Sequence, residues 1–135
     1  MLTIDAIDHI VLNVADVERA ADWYARVLGM RRVTAQFTPG GASRTSMMFG
    51  QNKINLRPVS ASQAEWFTGL QPQPGSDDLC FLTSTPPEEV AAHFARCSVD
   101  ILLGPVTRSG ARGDIRSVYV RDPDGNLVEV SSYAR

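Results

Sequence analysis

RDPDGNLVEVSS, Arg121 to Ser132, is the stretch from which the fold is read. Asp122-Pro123-Asp124-Gly125 is a turn: proline presets the second turn position, the aspartates reach nearby backbone amides, and glycine relaxes the exit. The residues after it alternate with the period of a strand. Val128 and Val130 point one way, while Leu127, Glu129 and Ser131 point the other. Glu129 therefore stands in mid-strand, where a buried carboxylate is costly unless something positive faces it.

Working outward, the chain reads as a repeat. DHIVLNVADVERAADWYARVLG (Asp8–Gly29) and DDLCFLTSTPPEEVAAHFARCSV (Asp77–Val99) each pass from an acidic residue through a short apolar strand and a cap into a helix. Asp16 is the expected cap of the first helix, with Gly29 ending it. Thr85-Pro86-Pro87-Glu88 has capping-box spacing for the second. Val17, Ala20, Ala21, Tyr24 and Leu28 form the expected apolar stripe of the first helix. Strand-like runs follow each helix: Arg31–Phe37, Arg44–Phe49 and Lys53–Val59, then Val99–Leu103, Ile115–Arg121 and Asn126–Ser132. SMMFGQNKINLRP aligns with SVYVRDPDGNLVEVSS if the second turn is about three residues longer. The expectation is an α+β fold in one domain over residues 1–135: a βαβββ module at about 5–59, a linker at 60–76, and a second βαβββ module at about 77–133.

Composition narrows the function. A hydrophobic fraction of 44% with 21% charged residues argues against disorder. A net charge of −2 offers no basic excess for phosphates, so no nucleic-acid partner is expected. No apolar run approaches a membrane span and no charged-then-apolar leader opens the sequence, so no membrane partner is expected and cytoplasm is the expected address. Cys80 and Cys97 are too few for a disulfide framework and lack metal-finger spacing.

Strand alternation sorts the candidates by face. Ile10, Leu12, Ile54, Leu56, Leu79, Phe81, Val128 and Val130 are expected against the helices. His9, Val11, Asn55, Arg57, Asp78, Cys80, Leu127 and Glu129 fall on the opposite face, where polar residues collect and a cup-shaped mixed sheet is implied. The repeat makes Asn55 the counterpart of Glu129, and Asp78 the counterpart of His9.

HIVLNVAD, WYARVLG and the terminal DPDGNLVEV resemble the vicinal-oxygen-chelate superfamily, which includes glyoxalase I, extradiol dioxygenases and bleomycin-resistance proteins. KINL, PGSDDLCFLT, GPVTRSGARG and SVYVRDPDGNLVEV are most similar to the glyoxalase-domain-containing protein 5-like group. The resemblance implies a glyoxalase-type fold, a homodimer, a small-molecule substrate and one divalent metal (Mn, Mg, Fe, Ni or Zn). The matching ligand positions are His9, Asp78 and Glu129, with Asn55 or water completing the shell. Asp78 stands where many members have histidine, Asn55 replaces the glutamate of glyoxalase I, and Arg57 replaces a histidine usual among the closest relatives.

Two positive partners are thus on offer for Glu129. A metal on one imidazole and two carboxylates would be oxygen-rich, which favours Mn²⁺, Mg²⁺ or Fe²⁺ over a thiolate-type zinc site. Alternatively, Arg57 pairs with Asp78 or Glu129, or holds an anionic substrate. The stretch 104–114, with Arg108 and Arg112 among its glycines, reads as a mobile loop that touches an anion or as a plain solvated connection. Trp66 and Phe67 cap an apolar ligand, pack, or form a dimer contact. Cys80 reads as a small buried packing residue, His93 as a surface residue, and Cys97 has no evident partner. The leading function is a metal-dependent glyoxalase-like lyase or isomerase on a small vicinal-oxygen substrate, with Glu129 shuttling the proton. The alternatives are a metal-free small-molecule binder and, ranked below both, an extradiol dioxygenase, whose facial triad needs a second histidine.

Overall fold

A computed structural model describes residues 1–36 and 39–133. Phe37, expected at the end of a strand, lies outside them. The chain divides into two compact units, Met1–Pro74 and Gly75–Arg135. Each is one βαβββ module with a mixed four-stranded sheet.

In the first unit, β1 (His9–Val14) leads into α1 (Val17–Leu28). Asp16 caps that helix by accepting the Arg19 amide at 3.0 Å. Gly29 closes it at φ 69°, a left-handed conformation open to glycine at little cost. The face of α1 turned inward is Ala20, Ala21, Trp23, Tyr24 and Val27. This corrects the expected stripe: Val17 and Leu28 are only half-buried, because the helix is rotated to bury Trp23 edge-on against Tyr24, 4.9 Å between ring centres. The chain continues through β2 (Arg31–Gln36), β3 (Ser43–Phe49) and β4 (Asn52–Pro58). Sheet order is β1-β4-β3-β2, with β1 parallel to β4. Leu12, Val14, Met47, Ile54 and Leu56 are fully buried in this unit, each worth roughly 1.5–3 kcal/mol of transfer free energy.

The second unit repeats the plan with β5 (Asp78–Leu82), α2 (Pro87–Arg96), β6 (Leu103–Gly110), β7 (Gly113–Arg121) and β8 (Leu127–Tyr133), ordered β5-β8-β7-β6. Val90 and Phe94 of α2 are buried, as are Val118, Val120, Val128 and Val130 of the sheet. The turn from Phe49 to Asn52 holds two residues and that from Arg121 to Leu127 holds five, the expected three-residue difference.

Two local expectations are corrected here. Thr85 does not cap α2; Pro86 occupies the cap position with no side-chain bond, and Pro87 fills the first helical position, where its missing N–H costs nothing. Residues 99–102 are not a strand. The second strand of this unit is β6, so most of the expected 104–114 loop is sheet, with Arg108 paired opposite Ile115. Its glycines answer geometry rather than mobility: Gly104 has φ 116°, and a Cβ there would stand 2.3 Å from the Ser117 carbonyl.

One buried polar knot ties the ends of β5 and β8 together. Asp122 Oδ1 accepts the amides of Asp124 and Asn126, and its Oδ2 accepts Asn126 Nδ2 at 2.8 Å. Asn126 Oδ1 in turn accepts the Asp77 amide at 2.9 Å, and the Leu127 amide returns to the Asp77 carbonyl. Burial, then the charge of Asp122, pushes the Asp77 carboxyl above its usual range. Asn126→Ala removes both side-chain bonds of a fully buried residue. Denaturant unfolding of that variant is expected to show a loss of about 2–4 kcal/mol, one desolvation penalty for each orphaned group.

Candidate functional site

Register places Glu129 before chemistry does. In the parallel β5–β8 pair Cys80 lies opposite Glu129 and Asp78 opposite Leu127, so Asp78, Cys80 and Glu129 share the sheet face turned away from α2. Across the antiparallel β7–β8 pair, Tyr119 lies opposite Glu129 and Ser117 opposite Ser131. Ser117 Oγ donates to Glu129 Oε2 at 2.5 Å and Ser131 Oγ to the same oxygen at 3.3 Å, while the two hydroxyls meet at 2.7 Å. Both serines are buried. The Tyr119 phenol and the Cys80 thiol lie on the same face, near enough to feel the charge of Glu129. The donors to this half-buried carboxylate are thus neutral, two serine hydroxyls, with a phenol and a thiol nearby.

These neighbours feel the carboxylate. Burial above all, and then the negative charge of Glu129, push up the Tyr119 phenol, against a hydrogen bond from Arg108 that pulls it down. Cys80 is likewise raised, first by desolvation and then by Glu129 and Asp78, against a bond with Ser131 Oγ at 3.4 Å. Cys80 is exposed, which corrects its reading as a buried packing residue. It shares Glu129's face, where no helix covers it.

Arg57 requires the largest correction. It is 0% exposed, and its guanidinium bonds within the first unit in place of the expected carboxylate pairing. Nε donates to the Trp66 carbonyl at 2.9 Å, Nη1 to Asn13 Oδ1 at 2.8 Å, and Nη2 to the carbonyls of Ala61 and Ser62 at 2.6 and 3.3 Å. Its register partner on β1 is Asn13, which explains the side-chain bond. The guanidinium pins residues 61–66 onto the first sheet and offers nothing to a substrate. Asn55 is on the same face, its Oδ1 accepting Ser46 Oγ at 2.7 Å. Trp66 lies under the Arg44 guanidinium at 4.1 Å, while Phe67 is 86% exposed.

His9 opens β1 at the repeat position equivalent to Asp78, its Nδ1 bonded to Asp8 at 2.8 Å. That bond orients the ring and leaves Nε2 as the nitrogen that could ligate. Among the described residues no three His, Cys, Asp or Glu side chains are grouped as a metal needs. By type, His9, Asp78 and Glu129 form a donor set suited to a hard or borderline divalent ion.

Arg108 and Arg112 part company. Arg108 reaches over Tyr119, its guanidinium 5.6 Å from the ring centre, on the Glu129 face. Arg112 belongs to the β6–β7 turn and stacks on Tyr133 at 4.3 Å, where its amide donates to the phenol. It lines a groove of about 760 Å³ with Leu82, Pro87, Arg116 and Tyr133, a groove to which Glu129 does not contribute. His93 is half-buried on α2, and its Nε2 is 3.6 Å from Cys97 Sγ, one turn on. Sequence reasoning put Ser131 on the Glu129 face but missed Ser117 and Tyr119. The available signal was alternation in SVYVR, which puts Ser117 and Tyr119 on the unpatterned face beside Glu129.

The profile of the family described as Glyoxalase/Bleomycin resistance protein/Dioxygenase superfamily matches residues 6–130. Virulence protein STM3117 of Salmonella typhimurium is 42% identical over 132 residues, covering 98% of this chain and 87% of that protein. Its crystal structure matches with a TM-score of 0.87 over 98% of this chain and 100% of the other. An integron cassette protein from the mobile metagenome of V. cholerae matches at 41% identity and a TM-score of 0.91, over 99% of each chain. A lactoylglutathione lyase from Agrobacterium tumefaciens (23% identity, TM-score 0.71, 97% of this chain and 96% of the other) shares the fold. So does TnmS3, an antibiotic binding protein from Streptomyces (20% identity, TM-score 0.73, 99% of this chain and 100% of the other).

Two measurements check this geometry. In a Cys97→Ser background, the pH midpoint for iodoacetamide alkylation of Cys80 is expected above that of a free thiol and to fall in Glu129→Gln, because a neutral amide no longer opposes thiolate formation. Arg57→Met leaves three carbonyls and an amide oxygen without their donor. It is expected to cost about 3–5 kcal/mol by denaturant unfolding and to speed hydrogen exchange at residues 61–66.

Proposed function

Because this chain belongs to the Glyoxalase/Bleomycin resistance protein/Dioxygenase superfamily, we propose that it is a glyoxalase-like lyase or isomerase acting on a small substrate with adjacent oxygens, with Glu129 as its proton shuttle. The observation that carries this reading is the surroundings of Glu129: a half-buried carboxylate bonded by two serine hydroxyls, with Arg57 committed elsewhere. A carboxylate locked to a guanidinium would be a poor base, since losing the ion pair opposes protonation. One held by neutral donors can take a proton and return it. Ser117 and Ser131 both converge on Oε2, which fixes the carboxyl plane and leaves Oε1 as the oxygen neither serine touches.

A divalent metal held in part by Glu129 would supply Lewis acidity toward the two substrate oxygens. Asn55 can donate an oxygen but cannot serve as a base, so proton transfer rests with Glu129. The proposed working form is a homodimer. Leu2, Ile4, Ile7, Phe67 and Leu70 are each at least 74% exposed and supply apolar surface for it.

A second reading, a metal-free small-molecule binder, draws on the first unit. The Trp66 ring under Arg44, with exposed Phe67 beside it in sequence, makes a shelf for a flat apolar ligand. A ring-cleaving dioxygenase gains no support, because the only other histidine, His93, lies on α2 beside Cys97.

Metal analysis of the purified protein, paired with assay of the hemithioacetal of methylglyoxal and glutathione, separates these readings. Stoichiometric metal and turnover are expected in the wild type. Glu129→Gln is expected to lose the metal and at least about 10²-fold in rate. Full metal and full turnover in that variant would refute the assignment of Glu129, and a metal-free, inactive wild type would favour the binder.

A further inference from the structure

We infer that Tyr119 and Arg108 form an anion-binding pair beside Glu129, and that the substrate is therefore a small carboxylic acid carrying a second oxygen next to its carboxylate. The inference rests on Glu129 being the working carboxylate of the site. Tyr119 lies directly opposite Glu129 in the β7–β8 register, and its ring lies under the Arg108 guanidinium at 5.6 Å. The phenol thereby stands between a cation and a carboxylate. Its hydroxyl is the group through which charge on one side is felt on the other.

Arg108 is suited to this task by what it is not doing. Among the described residues it forms no ion pair, and Nη1 donates to the Thr107 carbonyl at 3.1 Å. A guanidinium presents five donors in a planar fork that matches a carboxylate edge. Arg108 belongs to β6, whose register with β7 holds it at a fixed place on the sheet; sites on strands keep their geometry better than sites on loops. The remaining arginines near this sheet differ. Arg116 is paired with Glu88 at 2.9 Å, Arg121 donates to the Gly125 carbonyl, and Arg112 lies on Tyr133. A substrate carboxylate on Arg108, with the Tyr119 hydroxyl turned to its neighbouring oxygen, would bring the carbon between them toward Glu129. The same arrangement would reject a neutral analogue, which leaves the fork unmatched.

Calorimetric titration with oxalate, a dianion of adjacent oxygens, and with its neutral diamide oxamide tests this on the full chain as purified. Wild type is expected to bind oxalate at least about tenfold more tightly than oxamide. Arg108→Gln and Tyr119→Phe are each expected to weaken oxalate by about tenfold or more, the scale of one charge-assisted hydrogen bond. Arg116→Gln, on the α2 side of the sheet, is expected to leave oxalate affinity unchanged. Thermal melts of Tyr119→Phe, which keeps the ring, guard against misfolding. Oxalate affinity unaltered in both Arg108→Gln and Tyr119→Phe would overturn the pair, as would equal affinity for oxamide or no binding by wild type. Loss of turnover in Glu129→Gln beside unaltered oxalate affinity in the pair's variants sinks this inference alone. Oxalate binding that depends on both residues in a protein without turnover sinks the proposed enzyme and leaves the pair standing.

Discussion

The register of β5 against β8 is the constraint from which the candidate site follows, and Asn126 sets it. Strand pairing has a period of two, so a slip of one residue would turn Glu129 into the core and Val128 or Val130 out of it. Asn126 prevents this by gripping both strand starts, through Asp122 on one side and the Asp77 amide on the other. The first unit uses an asparagine at the matching position: Asn52 Nδ2 donates to the carbonyls of Ile7 and Asp8, just before β1. Two modules with different surfaces thus solve the same register problem with the same side chain. The longer turn of the second module adds Asp122, whose carboxylate gathers three donors. The site-bearing pair is the more firmly tied of the two.

That register converts a costly residue into a usable one. A half-buried carboxylate can be stabilised by a cation, which neutralises it, or by neutral hydrogen-bond donors, which do not. Glu129 takes the second course. The buried hydroxyls of Ser117 and Ser131 donate to it while leaving its charge available. The energetic contrast with Arg57 is instructive. That guanidinium is wholly buried and meets its donors with carbonyl and amide oxygens instead of an anion. Its burial is tolerated because those bonds are several and short, and the 61–66 segment is held to the first sheet as a result.

Much of this was legible in the sequence. The repeat, the faces of the strands, the Asp16 and Gly29 caps and the three-residue difference between turns all follow from periodicity and turn chemistry, which are local. The errors were local rules applied where tertiary contacts prevailed. Glycines at 104, 110 and 113 looked like a flexible loop, yet the pairing of β6 with β7 requires a close backbone approach at Gly104. Thr85 had the spacing of a cap, yet Pro86 follows it and takes the cap position.

Sequence by itself determined that Glu129 stands on a sheet face opposite the core, because alternation is a property of the strand and of the residues in it. It also determined that the chain repeats one module. Only the tertiary structure decided which residues meet Glu129. Ser117 bonds it, Tyr119 stands opposite it, and Arg108 reaches over Tyr119, across strands whose order, β5-β8-β7-β6, no single segment encodes. Only the tertiary structure, too, gave Arg57 to Asn13 and three backbone carbonyls. An arginine's long stem lets it satisfy partners several residues away, and the choice among them is made by the neighbouring strand and the 61–66 segment packed against it.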